Sequence, residues 1–246
     1  MDILGINGRH ARLNRFVATM LCGLALLLGG TSALADDDNG PGSPRGVGRD
    51  RGFTVTVTNL TYDQIISPPV VVVHDDRFRL FEPGLAASAE LSALAEDGMT
   101  GPLAGLLEVS TGVFDYAVAG GGIPPQGSIT VEVRARGPHK LLSLAGMLVS
   151  TNDAFAGLDS YAISSNYGSA FGARTLDVPA YDAGSEANTE SCDHIPGPPC
   201  GSPEMRVTDG AEGFVHVHRG IRGVGDLDAT EKDWRNPVAR IVIQRN

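Results

Sequence analysis

Positive charge is scarce in this chain of 246 residues: 19 Lys and Arg stand against 29 Asp and Glu, a formal net charge of −10. Nucleic acid is a poor partner for such a surface, because phosphates need clustered Lys and Arg. Long apolar runs are missing as well. The stretch at 16–28 falls short of the ~20 residues that a helix needs to cross a bilayer, and no other run is long enough either. Neither a Walker lysine nor Rossmann glycine spacing occurs, and the Gly-Ser pairs lack the strand–Ser–helix setting of a nucleophile elbow. Cysteine is sparse too, at three residues, with no second Cys or His cluster of zinc-ligand spacing. Repeats and coiled-coil heptads are absent.

What is present begins with an address. Arg9, Arg12 and Arg15 precede the apolar stretch, and Ala33-Leu34-Ala35 is a small-x-small cleavage site ahead of Asp36. Cys22 lies in the apolar stretch, but the residue before it is Leu21, where lipoprotein processing requires Gly or Ala. Residues 1–35 therefore read as a cleaved signal peptide, which predicts a secreted or periplasmic protein with no transmembrane segment afterwards. Residues 36–52 are Asp, Gly, Pro and Arg with almost nothing to bury, the composition of a disordered leader. Only Cys192 and Cys200 remain in the mature chain. They bracket the turn-rich DHIPGPP and predict a disulfide closing one loop, with a zinc pair that includes His194 as the competing reading.

Residues 53–246 read as one domain. In FTVTVTNL (53–60) strict alternation puts Phe53, Val55, Val57 and Asn59 on one face and threonines on the other, a half-buried antiparallel strand. VVVVH (70–74) is a continuous β-branched run suited to a central strand. Further strands are expected near 113–119, 128–135, 141–149, 213–218 and 239–244. One helix is expected over 86–96, where helix formers carry Leu91, Leu94 and Ala95 at helical spacing up to Asp97-Gly98. Many short strands, one short helix and long Gly- and Pro-containing loops predict an all-β fold, an antiparallel β-sandwich.

Two segments carry chemistry. STNDAFAGLD (150–159) and AYDAGSE (180–186) each place a carboxylate in a Gly-containing loop after an apolar run. Two such loops at one end of a sheet gather Asp153, Asp182 and Glu186 around a hard cation, which takes oxygens from carboxylates, carbonyls and water. The plainer reading is that Asp and Gly are simply good turn residues. A second candidate is VHVH (215–218): His216 and His218, two apart on a strand, share a face and can bind one transition metal. His74 and His194 can join them, and Asp209, Glu212, Asp226 and Asp228 lie nearby in sequence. The competing reading is a solvated or half-packed strand face. The single Trp234, just before the last strand, is expected as a lid over one end of the sandwich.

Taken in order, SPPVVVVHDDRFRLFEPG, LAEDG, LLSLAGMLVSTNDAFAGLD, PAYDAGSEANTE, HIPGP and NPVARIVIQR resemble the spondin amino-terminal domain of F-spondin, mindin and secreted bacterial proteins. The resemblance runs from Phe53 to Arg245. It implies a sandwich similar to calcium- and lipid-binding modules, with a divalent cation, usually calcium, in the loops at one end. Asp153 matches the acid of the family's S-x-D-x-F/W-x-G segment, and Asp182 and Glu186 match the two acids of Y-D-A-G-T-D. Glu186 stands where the animal domains have Asp. A further acid of those domains falls on Arg134 here, with Glu132 one strand repeat away, so a fourth carboxylate is not supplied there. The expectation is a non-catalytic, secreted recognition module that binds an extracellular protein or glycan through its cation end. The alternative is a metal-dependent enzyme using His216 and His218.

Overall fold

The computed structural model describes residues 49–163, 172–201 and 205–246. The expected signal peptide, and the expected leader up to residue 48, lie outside the described residues. The first sheet forms around β1 (Arg51–Asn59), flanked by β4 (Ser128–Ala135) and β10 (Ala239–Arg245), with β7 (Arg174–Val178) beyond β10. Its alternation behaves as the sequence predicts. Phe53, Val55 and Val57 are buried, with Val55 opposite Val131 on one side and Ile243 on the other. On the outer face Thr56 and Thr130 share a hydrogen bond of 3.0 Å, and Thr58 and Ser128 one of 2.8 Å. The strand starts at Arg51, inside the expected leader, and Asp50 just before it pairs with Arg136 at the end of β4.

The second sheet runs β3 (Val113–Val118), β2 (Val70–His74), β5 (Leu141–Met147), β6 (Ala154–Ala162), β8 (Ala180–Asp182) and β9 (His216–Val217). Both sheets are antiparallel and pack face to face. The continuous VVVVH run is explained by burial on both faces. Val71 and Val73 join Leu142, Leu144, Ala154 and Ala156 against Phe53, Val55 and Ile241 of the first sheet. Val70 and Val72 point the other way, with Ala145 and Phe155, against Leu91, Leu94, Leu103 and Leu107. Each such side chain contributes roughly 1.5–3 kcal/mol by leaving water.

Those leucines belong to two helices, α1 (Ala89–Asp97) and α2 (Thr100–Val109), where the sequence predicts one. Ser88 caps α1 by accepting from the Leu91 N–H at 3.1 Å, and Gly98 ends it in the left-handed conformation at φ 68°. Gly101-Pro102 looks like a breaker, yet Pro102 falls in the first turn of α2, where a missing N–H leaves no bond unmade. A short α3 (Ala229–Lys232) precedes the last strand. β6, β7 and β8 also go beyond the expected strands, and the stretch expected as strand over 213–218 contracts to β9. Gly157 shows why β6 is hard to read: a Cβ there would come within 2.7 Å of the Tyr181 ring and 2.9 Å of the Phe155 and Phe81 rings. The glycine makes room for an aromatic cluster.

Candidate metal centre

The two acidic segments prove to be neighbouring strand ends. β6 and β8 pair with Ala154 opposite Asp182, and the Ala183 N–H donates to the Asp153 carbonyl at 3.1 Å. Asp153 thus leads into β6 beside the point where β8 finishes at Asp182, and both are fully buried. The Asp153 Oδ2 accepts from the Ser185 N–H (2.8 Å), the Ser185 hydroxyl (3.2 Å) and the Glu186 N–H (3.0 Å). Its Oδ1 is buried and accepts nothing. Asp182 accepts from the Gly184 N–H at Oδ1 and from the Asn188 amide at Oδ2, both at 2.7 Å. Burial raises both acids above the usual carboxylate range, and the Asp182 charge raises Asp153 further. The tight turn at Gly184 is obligatory. Its φ is +66°, and a Cβ would meet the Phe214 carbonyl oxygen at 2.3 Å.

Glu186 takes part through its backbone. Its N–H holds Asp153, while its carboxylate turns away to accept the Val207 N–H at 2.9 Å. Burial pushes that carboxyl up to about 7, with the Glu96 charge adding to the rise. The group of metal-capable atoms lying within 4.8 Å of one another, among the described residues, is Asp182, Glu212 and His216. Cross-strand pairing explains it: β9 lies beside β8 with His216 opposite Asp182. Glu212 is exposed, so the group opens to solvent on its side. Arg134 and Glu132 stay on β4 in the other sheet, both exposed, with Arg134 bound to Asp115. Glu212 is the additional acid here; in sequence it stands beside VHVH with Asp209, Asp226 and Asp228, and nothing local sets it apart from them.

The two histidines share a face, as the alternation requires, but have different roles. His216 Nδ1 lies 3.1 Å from the Val217 carbonyl, which can only accept, so Nδ1 carries the proton. Nε2 is buried, has no hydrogen-bond partner, and lies 3.6 Å from Asp182 Oδ1. His218 Nδ1 accepts from the Gly220 N–H at 2.9 Å, so its Nε2 donates to the Asn188 Oδ1 at 3.0 Å. Burial pushes His218 down to about 3, keeping it neutral. It aims Asn188, whose amide donates to Asp182 (2.7 Å) and to Glu212 (3.2 Å). The expectation of one metal between both histidines is corrected accordingly: His218 has no lone pair left to give. His74 is engaged by Ser143 and the Asp75 carbonyl, and His194 by the Met205 carbonyl.

Supporting parts follow the same logic. Trp234 is buried in the sandwich core with its ring 5.0 Å from that of His218. Glu190 accepts from the N–H groups of Arg222 (2.7 Å) and Val224 (2.8 Å), which pins the glycine-rich segment after His218. Cys192 and Cys200 form a disulfide with Cα atoms 4.9 Å apart, which removes the zinc-pair reading. No helix among the described residues is long and apolar enough to cross a membrane. The chemistry on offer is two carboxylates and one imidazole, with the buried Asp153 carboxyl beside Asp182, a donor set for a divalent cation.

No match to a curated protein is found. The family model described as Spondin_N matches residues 49–201, which hold Asp153, Asp182 and Glu186 and stop short of Glu212 and His216. With the sandwich and the acidic strand ends in place, that match over more than half of its length makes this chain a member of the Spondin_N family.

Proposed function

We propose that the chain is an exported, non-catalytic recognition module that binds a divalent cation at the β6–β8–β9 end of its larger sheet and, through that end, an extracellular protein or glycan. The observation that carries the reading is the Asp153 carboxylate. One of its oxygens is held by three donors while the other, equally buried, has no partner and lies beside a second buried acid. An unmatched buried oxygen of this kind costs about 1–3 kcal/mol, more when charged, and a cation supplies the missing partner. Asp182 and Glu212 add oxygens, and Glu186 contributes by orienting Asp153 through its N–H. The exposed Glu212 side leaves room for an oxygen of a bound ligand to complete the ion's shell. Export is supported by the basic and apolar start of the sequence and by the disulfide, which suits an oxidising compartment.

Calcium is what the family resemblance implies, and the carboxylates suit it; the imidazole nitrogen does not. The cation reading is tested by melting the chelator-stripped mature protein with and without Ca²⁺, Mg²⁺, Mn²⁺ and Zn²⁺. A cation at 100 times its Kd stabilises by about 2.7 kcal/mol, which should raise Tm. Asp182→Asn should abolish the shift. Identical melting with every ion and with chelator would overturn the reading. Recognition is tested on glycan arrays and envelope extracts with the ion present or removed, where retention that ignores the ion argues against this end as the contact surface.

A further inference from the structure

We infer that the ion at this centre is of the borderline, nitrogen-accepting class typified by Zn²⁺, with His216 Nε2 as a direct ligand, rather than calcium. The inference rests on the cation reading above and adds the identity of the ion and a nitrogen ligand. The first ground is the placement of the imidazole. Nδ1 faces the Val217 carbonyl, the arrangement that sets the ring direction of metal-binding histidines. Nε2 is buried, has no hydrogen-bond partner and lies 3.6 Å from Asp182 Oδ1, within the cluster that also holds Glu212. A cation in that gap would give the nitrogen its missing partner.

The second ground is spacing. Ligands at ~2.1 Å around a tetrahedral ion stand roughly 3.4 Å apart, close to the 3.6 Å between Nε2 and Oδ1. The third ground is the ligand count. Calcium asks for six to eight oxygens. The clustered groups are two carboxylates, from Asp182 and Glu212, and His216 Nε2, with Asn188 already donating to Asp182 Oδ2 and to one Glu212 oxygen and Gly184 to Asp182 Oδ1. That set fits a four-coordinate ion with one side toward solvent. Two of these ligands, Glu212 and His216, lie beyond the residues matched by the family model. The nitrogen is thus contributed by a part of this chain that the match does not describe.

The experiment is calorimetric titration of chelator-stripped mature protein with Zn²⁺, Co²⁺, Mn²⁺ and Ca²⁺ in turn, alongside the visible spectrum of the Co²⁺ form. Expected are one ion per chain, affinities that rise from Mn²⁺ to Co²⁺ and place Zn²⁺ at least ~100-fold tighter than Ca²⁺, and a cobalt absorption band. His216→Ala should weaken Zn²⁺ about 100-fold and erase the band. His216→Gln, which keeps the volume, serves if the alanine variant melts low in chelator. Calcium binding as tightly as zinc, or an unchanged Zn²⁺ affinity in both His216 variants, overturns the inference while the cation reading survives. If no ion binds, both fall.

Discussion

Asp153→Asn should stabilise the metal-free protein and remove the benefit of the metal. The side chain is fully buried, and its three hydrogen bonds converge on Oδ2. Asparagine keeps an oxygen for the Ser185 and Glu186 donors, so those bonds need not be lost. What disappears is a carboxyl that burial and the Asp182 charge push up to about 8, so that at neutral pH folding must take up a proton the unfolded chain does not carry. Raising a carboxyl's pKa tenfold in proton affinity costs its ionised form about 1.4 kcal/mol, so relief on the order of 2–4 kcal/mol is expected at neutral pH. In a chain of this size about 1 kcal/mol moves Tm by roughly 2–4 °C, which makes the gain easy to see. Scanning calorimetry at pH 7 in chelator should show the variant melting higher than the parent. The advantage should vanish near pH 4, where Asp153 is protonated in the unfolded chain too and folding no longer takes up a proton. Added metal should then raise the parent and leave the variant where it was. A variant that melts lower in chelator at pH 7 and still responds to metal would mean that Asp153 is a structural hydrogen-bond acceptor and nothing more.

Glu186 predicts a pH dependence of definite sign. Its folded value of about 7 lies above the ordinary 4.5, so as pH rises from 4.5 to 7 the unfolded chain releases a proton that the folded one retains, and stability falls. Urea melts from pH 4 to 8 should show a decline on the order of 3 kcal/mol from this group, flattened in Glu186→Gln. His218 acts oppositely: with its folded value near 3, stability is present above pH 6.5 and is lost as pH falls from there toward 3, a slope that His218→Asn should remove. Gly184→Ala forces a side chain into the left-handed region and against the Phe214 carbonyl, so a loss of about 1–3 kcal/mol and a weakened metal response are expected in thermal melts. Replacing Cys192 and Cys200 by Ser should cost about 2–3 kcal/mol in urea unfolding while leaving metal affinity unchanged.

The fold was most legible where burial imposes a period. Alternation marks β1 because one face meets the core and the other meets water, and the unbroken valines mark β2 because both faces are covered. Legibility failed at β6 and α2. Small residues around Gly157 carry little periodic signal, and Gly101-Pro102 suggests a break that the first turn of a helix tolerates. Within the site, the spacing of Asp182 and Glu186 correctly announces a tight turn but not the direction of the second side chain. The Val207 N–H, distant in sequence, captures that carboxylate.

By itself, the sequence determined which residue types would supply the chemistry and which strands would carry them: an acid at 153, another at 182, histidines two apart on one face. Tertiary structure alone decided their roles. Asp153 meets Asp182 because β6 pairs with β8, and His216 meets Asp182 because β9 adds on the far side. The two Nδ1 atoms meet opposite partners, the Val217 carbonyl and the Gly220 N–H, so His216 turns Nε2 unpartnered toward Asp182 while His218 holds Asn188 with its own. The Nδ1 partners are local in the chain, whereas the groups that meet the two Nε2 atoms, Asp182 and Asn188, come from segments tens of residues away and meet them only in the folded sheet.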